Sequence, residues 1–513
     1  MLLERIARTS LEVADTSSRL AKIKLIASCL RALDPKEVPV AVAYLSGILP
    51  QGTIGVGWAT LREMPPAATE PTVEVLELDA MLTSISRATG TGSQTARRAR
   101  INEVFGRATQ VEQDFLRRLL LGELRQGALE GVMVEAVARA TDSSAAEVRR
   151  ALMLAGDLGA VAAAAVADGR DGLARFRLEV LRPLQPMLAQ TAEDLDSALQ
   201  KVGSATVEWK LDGARIQVHR KGDEIRVFTR NLADITDRVP EVVEAVRALS
   251  VESVVLDGEA ITLGAHRRAL PFQVTMSRFG SKLQVPQLRA TTPLSSFFFD
   301  CLHINGEDLI DRPAGERFTA LVELVPEMFR VPRIATPTPE EAERFFDDVI
   351  ERGHEGVMVK ALDAPYEAGR RGAGWIKVKR AHTLDLVVLA AEWGHGRRKG
   401  RLSNIHLGAR DTSTGEFVML GKTFKGMTDK MLDWQTERFL QLEQRREGIT
   451  VYLRPELVVE IAFDGVQTST RYPAGMALRF ARVKGYRSDK SPSEADTIDS
   501  VRAIFRGGSP GSP

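Results

Sequence analysis

Glu208-Trp209-Lys210-Leu211-Asp212-Gly213-Ala214-Arg215 is the stretch on which the reading of this chain turns. A lysine, one spacer and Asp-Gly stand between a short apolar run, Ala205 to Val207, and the alternating pair Ile216 and Val218. Glycine lets the backbone turn tightly without steric cost. The segment therefore reads as strand, turn and strand, with an amine and a carboxylate at the rim of a sheet. Lys-x-Asp-Gly is short and common by chance, and alone it describes a surface hairpin equally well. Its weight comes from the charged strand ends that follow.

Val254-Val255-Leu256-Asp257-Gly258-Glu259 is an apolar strand running into two acids, and Asp257 and Glu259 share one face by strand parity. His354-Glu355-Gly356-Val357-Met358-Val359-Lys360 opens a second strand with an acid at its mouth. Carboxylates at two strand ends, Glu259 and Glu355, suit Mg²⁺ with waters and substrate phosphates completing its octahedron. Trp375-Ile376-Lys377-Val378-Lys379 sets Lys377 and Lys379 on one face, Ile376 and Val378 on the other. That pattern fits an edge strand blunted by lysine or a phosphate clamp. Near the C-terminus Arg479, Arg482, Lys484, Arg487 and Lys490 form a basic cluster, suited to a polyphosphate leaving group or to solvent.

With 513 residues the chain has room for about three domains of roughly 150 residues each. No apolar run reaches the ~20 residues that span a bilayer. Glu4 and Arg5 interrupt the N-terminus at once, so no secretory signal is expected. The two cysteines, Cys29 and Cys301, lie in apolar segments and read as buried thiols in a reducing cytoplasm. They are too few for a four-cysteine zinc module. Net charge is +1, so any contact with nucleic acid must come from local patches.

Residues 1 to 180 read as an all-α domain. Leu20, Ile23, Ile26, Cys29, Leu30 and Leu33 fall on one helical face, Thr16-Ser17-Ser18 offers a cap, and Pro35 stops the pattern. Phe115 to Leu124 and Leu129 to Ala140 repeat the period, and Val161 to Val166 is expected to end near Gly169. Leu181-Arg182-Pro183-Leu184-Gln185-Pro186 suits an extended linker. Short strands with intervening helices then predict an α/β domain with mainly antiparallel sheets over 187 to 383. From 384 to 506, spaced strands with one helix near Thr428 to Glu443 predict a small β-barrel of OB type. The Gly/Ser/Pro tail, 507 to 513, is expected to be disordered.

Taken in order, nucleophile candidate, acid, acid, paired lysines and basic cluster resemble the covalent nucleotidyltransferase superfamily, and specifically the ATP-dependent DNA ligases. The actinobacterial and mycobacterial ligase B type is the closest in flavour, and the resemblance covers nearly the whole chain. Lys210 to Arg215 is similar to motif I, Thr229-Arg230-Asn231 to motif Ia, and Asp257-Gly258-Glu259 to motif III. Phe299 to Gly306 resembles motif IIIa, Glu355 to Lys360 motif IV, Trp375 to Lys379 motif V, and the last cluster motif VI. Gly485 stands where the family usually carries an arginine, with Lys484 beside it. Phe463 to Gln467 and Arg471-Tyr472-Pro473 look like the ligase barrel.

The resemblance implies a ligase that uses ATP and Mg²⁺ (or Mn²⁺) to seal nicked duplex DNA in replication, repair or recombination. It is expected to be a monomer in the cytoplasm, associated with the nucleoid. By this carry-over Lys210 attacks the α-phosphate of ATP, AMP passes to the 5′-phosphate of a nick, and the 3′-hydroxyl displaces AMP. Phe299 would stack on adenine and Glu208 would receive its amino group. Arg215 and Arg230 would contact the nucleotide or nick phosphates, and Lys377, Lys379 and Arg482 the ATP phosphates. Lysine is almost wholly protonated at neutral pH, and cations such as Lys377, Lys379 and Mg²⁺ favour its neutral, nucleophilic form.

DNA needs cations despite the near-neutral whole. From Trp393 to Lys430 there are eight Lys/Arg and three acids, 8 − 3 = +5. Arg397, Arg398, Lys399 and Arg401 sit in a glycine-rich segment that reads as a flexible loop tracking phosphates. In the helical region Arg97, Arg98 and Arg100 are the corresponding cluster. An mRNA-capping guanylyltransferase or an RNA ligase shares the lysine chemistry, but the long helical region ahead of Lys210 argues against both. A catalytically dead scaffold is opposed by intact Lys210, Glu259, Glu355, Lys377 and Lys379.

Overall fold

The structure is a computed structural model. It describes residues 1–506 except 91, 125, 129, 265–268, 271, 281–284, 369, 370 and 381. The tail from Gly507 to Pro513, expected to be disordered, and Leu129 of the helical pattern lie outside the described residues. The chain forms two compact units. One holds Met1–Glu343 and Met358–Lys377; the other holds Arg344–Val357 and the described residues from Val378 on.

The first unit begins with helices. Leu3–Asp15, Arg19–Arg31, Val38–Leu45, Val75–Arg87, Ser93–Arg107, Gln110–Leu120, Glu130–Ala140, Ala145–Ala155 and Leu158–Ala174 are the long ones. Ser18 caps the second helix, as its sequence implies. Thr109 with Glu112 and Ser144 with Glu147 form reciprocal capping boxes, each cap stabilising its helix by ~1 kcal/mol. The apolar stripes meet in one core that includes Leu3, Ile6, Ile26, Cys29, Tyr44 and Phe105. The helical segment through Val161 to Val166 ends at Gly169, as expected: Gly169 is non-helical at φ 57°, ψ −131°, and a second helical segment runs on from it to Ala174. The returning segment packs so closely that a Cβ on Gly172 would lie 2.1 Å from the Ala164 carbonyl oxygen.

Two five-stranded sheets follow. Their strands are β1 (Leu188–Thr191), β2 (Ala205–Lys210), β3 (Ala214–Lys221), β4 (Glu224–Thr229), β5 (Ser253–Thr262), β6 (Leu294–Ile304), β7 (Glu307–Asp308), β8 (Arg333–Ala335), β9 (Gly356–Ala361) and β10 (Arg371–Lys379). One sheet has the order β4-β3-β5-β6-β7 and is antiparallel throughout. The other has the order β1-β10-β9-β2-β8. In it β8 runs antiparallel to β2, while β1 runs parallel to β10, an exception to the antiparallel pattern read from sequence. Helix Pro240–Arg247 covers the first sheet through Val242 and Val246.

The linker is fixed rather than merely extended. Leu181 and Leu184 donate their N–H groups to His219 Nδ1 and Gln217 Oε1 of β3, at 3.0 and 2.9 Å. Gln217 Nε2 returns a bond to the Leu184 carbonyl at 3.2 Å.

In the second unit β11 (His382–Trp393), β12 (Leu402–Arg410), β13 (Phe417–Thr423), β14 (Glu443–Glu447), β15 (Thr450–Leu453), β16 (Val458–Phe463) and β19 (Arg482–Tyr486) form one seven-stranded sheet. Between the last two lies a ribbon of β17 (Gly465–Thr468) and β18 (Met476–Arg479). The first half of β11 pairs with β16 and its second half with β15, so one strand serves two neighbours on one edge and the sheet bends. Helix Asp429–Gln441, capped by Thr428, packs Leu432 and Phe439 into this unit's core.

Candidate active site

Lys210 is the last residue of β2, and β3 begins after the Leu211-Asp212-Gly213 turn. The glycine is needed for a close approach. A Cβ at Gly213 would lie 2.3 Å from Ile261 Cγ2, 2.5 Å from the Ala260 carbonyl oxygen and 2.9 Å from Glu259 Cγ. The turn that follows the lysine is thereby pressed onto the end of β5, where Glu259 stands. Burial pushes the Glu259 carboxyl up to about 7, against the pull of the positive charges on Lys210 and Arg215. Amine and carboxylate therefore share one electrostatic environment, brought about by two sequence segments some fifty residues apart.

Arg215, on β3, faces Asp257 on the neighbouring β5. Its Nε donates to Asp257 Oδ1 at 3.0 Å and its Nη2 to Oδ2 at 2.5 Å. A further bond goes from Nη1 to the Met187 carbonyl. The Tyr366 hydroxyl donates to Asp257 Oδ2 at 2.6 Å and accepts from the Met187 N–H at 3.0 Å. Such a buried, bidentate pair with every oxygen engaged fixes the guanidinium. Phe299 and Trp375 lie beside it with ring centres 5.4 and 5.3 Å from the guanidinium carbon. The two rings meet edge to face at 5.8 Å. Tyr366 carries no motif in the sequence and was missed. Its partner Asp257 is 109 residues away, and only the fold joins them.

Glu208, with the same parity as Lys210, points into the sheet and is buried. Lys360 on β9 forms an ion pair with it, and the Arg333 guanidinium on β8 lies 4.0 Å away. Lys360 and Arg333 also escaped the sequence reading of roles. Behind them Asp300 and Arg317 make a second fully buried pair, bidentate at 2.8 and 3.0 Å.

Lys377 lies on β10 opposite Thr191, and Ile376 and Trp375 are buried beside it. Arg230 is exposed just beyond the end of β4.

The remaining nucleotide and metal candidates fall in the second unit. Lys379 is held by Glu355 and, at 3.1 Å, by Asp464. Burial pulls the Lys379 pKa down, but the two carboxylates outweigh it and the ammonium is held charged. Arg482 donates to the other oxygen of Asp464 at 3.1 Å. Asp464 thus gathers one cation from motif V and one from motif VI. Gly356 permits the approach of β9 to β10, since a Cβ there would lie 2.2 Å from the Val378 carbonyl oxygen. Arg487 and Lys490 both bond to Asp385. Gly485 is paired with Glu460 across β16 and β19.

The basic patches divide in the same way. Arg97 donates to the carbonyls of Ile85 and Ala88, closing the C-terminal end of helix Val75–Arg87. Arg98 lies 3.5 Å from Glu63, and Arg100 bonds to Ser84. The segment read as a flexible loop is an ordered turn. Gly394 donates to the Arg401 carbonyl, a single 3₁₀ turn spans Gly396–Arg398, and Arg397 and Arg401 both reach Asp429. Arg401 also pairs with Asp433 at 2.7 Å. Asp429 and Asp433, both on one helix, give the loop a shape that composition alone does not disclose.

Among the described residues no group of three or more His, Cys, Asp or Glu gathers at metal-binding distance. A carboxylate without soft ligands beside it, such as Glu259, suits a hard cation that keeps waters and takes phosphate oxygens.

Comparison with known proteins identifies the family. The family model described as "ATP dependent DNA ligase domain" matches residues 186–379. "ATP dependent DNA ligase C terminal region" matches 398–490 and "DNA ligase N terminus" matches 59–138. A "Probable DNA ligase" of Anaeromyxobacter sp. (strain Fw109-5) is 59% identical over 98% of this chain and 98% of its own. Another, of Mycobacterium sp. (strain KMS), is 58% identical over 99% of this chain and all of its own. A solved structure named "Pmar-Lig_PreS3" shares the fold at a TM-score of 0.61 and 20% identity, covering 94% of this chain and 99% of its own. The matched segments together exceed half of the chain, and the chain belongs to the ATP-dependent DNA ligases.

Proposed function

We propose that this ligase carries AMP on Lys210 and seals nicks in duplex DNA in three phosphoryl transfers. In the first, Lys210 Nζ forms a P–N bond to the α-phosphorus of ATP, the bond to the β-phosphate oxygen breaks, and pyrophosphate leaves as the amine gives up a proton. In the second, an oxygen of the nick's 5′-phosphate attacks the same phosphorus and the P–N bond breaks, returning the lysine. In the third, the 3′-hydroxyl attacks the activated 5′-phosphate and AMP leaves. The observation that carries the assignment is the seating of the Lys210 turn on the end of β5 beside Glu259, which Gly213 alone permits.

Glu259 and Glu355 are the carboxylates that would hold Mg²⁺, which neutralises phosphate charge when bound. Glu208 receives the adenine amino group and Phe299 stacks on the base. Lys377, Lys379 and Arg482 hold the triphosphate. Arg215, engaged with Asp257, acts on the nucleotide through the walls of the pocket, and Arg230 is available to nick phosphates. We assign residues 1–180 to an all-α DNA-binding domain, 187–383 to the adenylation domain and 384–506 to an OB-fold domain. Arg98, Arg100, Arg398 and Lys399 are the foremost DNA contacts. Arg97, Arg397 and Arg401 shape those patches through the bonds described above. The enzyme works as a monomer in the cytoplasm; no helix among the described residues is long and apolar enough to cross a membrane.

The test is covalent capture. Incubation with α-labelled ATP and Mg²⁺ gives an acid-labile protein-bound label, because a phosphoramidate hydrolyses in acid. Lys210→Ala abolishes the label and sealing from ATP, yet still joins a nick supplied already adenylated. Label persisting in Lys210→Ala, mapped to another lysine, refutes the assignment.

A further inference from the structure

We infer that Lys360 is a positioning residue for base selection, holding the Glu208 carboxylate aimed so that it accepts a hydrogen bond from the 6-amino group of the purine. The inference rests on the reading of Glu208 as the adenine-recognising group and adds the device that makes it selective.

Three strands build the arrangement. β8, β2 and β9 are neighbours in one sheet, and they place Arg333, Glu208 and Lys360 side by side. Lys360 is 1% exposed and Glu208 2%. A carboxylate so far from water needs a cation at contact to hold it in place. Lys360 supplies one against Glu208 Oε1. Arg333 is too distant to hydrogen-bond, at 4.0 Å. Glu208 Oε2 is buried without a hydrogen-bond partner, as are Arg333 Nη1 and Nη2, the latter 4.0 Å from it. Buried acceptors are normally satisfied, so this oxygen is left for a donor that arrives with the ligand.

Lys360 is itself locked. Its ammonium lies 4.2 Å from the centre of the Phe299 ring and 4.3 Å from that of Trp375. Both faces attract a cation, and neither competes for the carboxylate. Phe299 is also the residue proposed to stack on the base. The ammonium therefore ties the stacking ring and the hydrogen-bonding carboxylate into one rigid unit. A charged acceptor favours a purine with an amino donor at C6 and disfavours one with hydrogen or oxygen there. Loss of the lysine frees the carboxyl to turn, and that distinction goes with it.

The experiment measures single-turnover self-adenylation with ATP and with purine riboside triphosphate, which lacks the 6-amino group. A hydrogen bond to a charged acceptor predicts that the wild type prefers ATP by about 10- to 100-fold in kcat/KM. In Lys360→Met the preference falls below about threefold, carried by a rise of roughly tenfold in KM for ATP with the saturated rate nearly kept. Lys360→Arg, which keeps a cation between the rings, restores most of the preference. If Lys360→Met does not fold, Lys360→Gln takes its place under the same criteria. A lysine-less variant that folds and keeps the wild-type preference overturns the inference while leaving the adenine reading of Glu208 intact. A wild type indifferent to the amino group overturns that reading, and the inference with it.

Discussion

Gly213 ties the chemistry to the packing more tightly than any charged residue of the site. An added methyl would fall 2.3 Å from Ile261 Cγ2 and 2.5 Å from the Ala260 carbonyl oxygen, and a carbonyl in a sheet cannot give way as a flexible side chain does. Gly213→Ala therefore has to part β3 from the end of β5 and carry Lys210 away from Glu259. The expected cost is about 1–3 kcal/mol of stability, as for overpacking elsewhere, with at least a tenfold loss in the rate of label uptake from ATP. Denaturant midpoints and single-turnover adenylation check the two effects, and a variant of normal rate would show that the turn tolerates displacement. The same residue marks how far the sequence could be read. Lys210, Asp257, Glu259 and Glu355 stand in short runs whose local pattern announces a strand end. Tyr366, Arg333 and Asp464 have no such pattern. Their partners lie far along the chain, Tyr366 from Asp257 by 109 residues and Lys379 from Asp464 by 85, and only tertiary pairing makes them part of a site.

At the scale of elements, the linker between the helices and the sheets shows what composition reveals and what it leaves out. Pro183 and Pro186 mark a non-helical passage. The clamp that holds it does not show, because Gln217 and His219 look like the polar face of an ordinary half-buried strand. The imidazole accepts the Leu181 N–H at Nδ1 and sits 2.9 Å from Gln217 Oε1 at Nε2. This geometry requires the neutral tautomer with its proton on Nε2. A second proton on Nδ1 would set donor against donor. Burial, aided by His303, pulls the His219 pKa down to about 3 from 6.5. The unfolded chain therefore takes up a proton that the folded chain refuses, and stability is lost as pH falls from 6.5 towards 3. Between pH 6.5 and 5 this group should remove about 2 kcal/mol. His219→Gln, which keeps a donor and an acceptor but cannot titrate, should show a shallower decline than wild type by about that amount in urea unfolding at the two pH values. Parallel declines would mean that the imidazole is not held neutral.

For the whole molecule the question is how a chain of net charge +1 holds a polyanion. The answer lies in distribution, since the segment from Trp393 to Lys430 carries 8 − 3 = +5. The structure then separates its cations by what they are bound to. Arg397 and Arg401 are matched by Asp429 and Asp433 on the following helix. Arg398 spends a bond on the neutral Phe424 carbonyl, which leaves its charge uncancelled. No acid pairs with Lys399 among the described residues, and it is exposed at the tip of the turn. Phosphate contacts by such side chains release counterions, so affinity for a nicked duplex should fall steeply from 50 to 200 mM salt, flanking sequence mattering little. Each contact contributes about 0.9 to the slope of log K against log salt. Replacing Arg398 and Lys399 by glutamine should therefore flatten the slope by roughly 2, with self-adenylation kept, because neither residue takes part in the ATP step. Replacing Arg397 and Arg401 should flatten it less and lower the melting temperature instead, since their charges already face Asp429 and Asp433. Fluorescence anisotropy on nicked duplex across a salt series, beside a thermal melt of each double variant, distinguishes the two pairs. Equal slopes for both would mean that the acids give up their arginines when DNA arrives, and the division of the loop into anchoring and phosphate-binding cations would then fail.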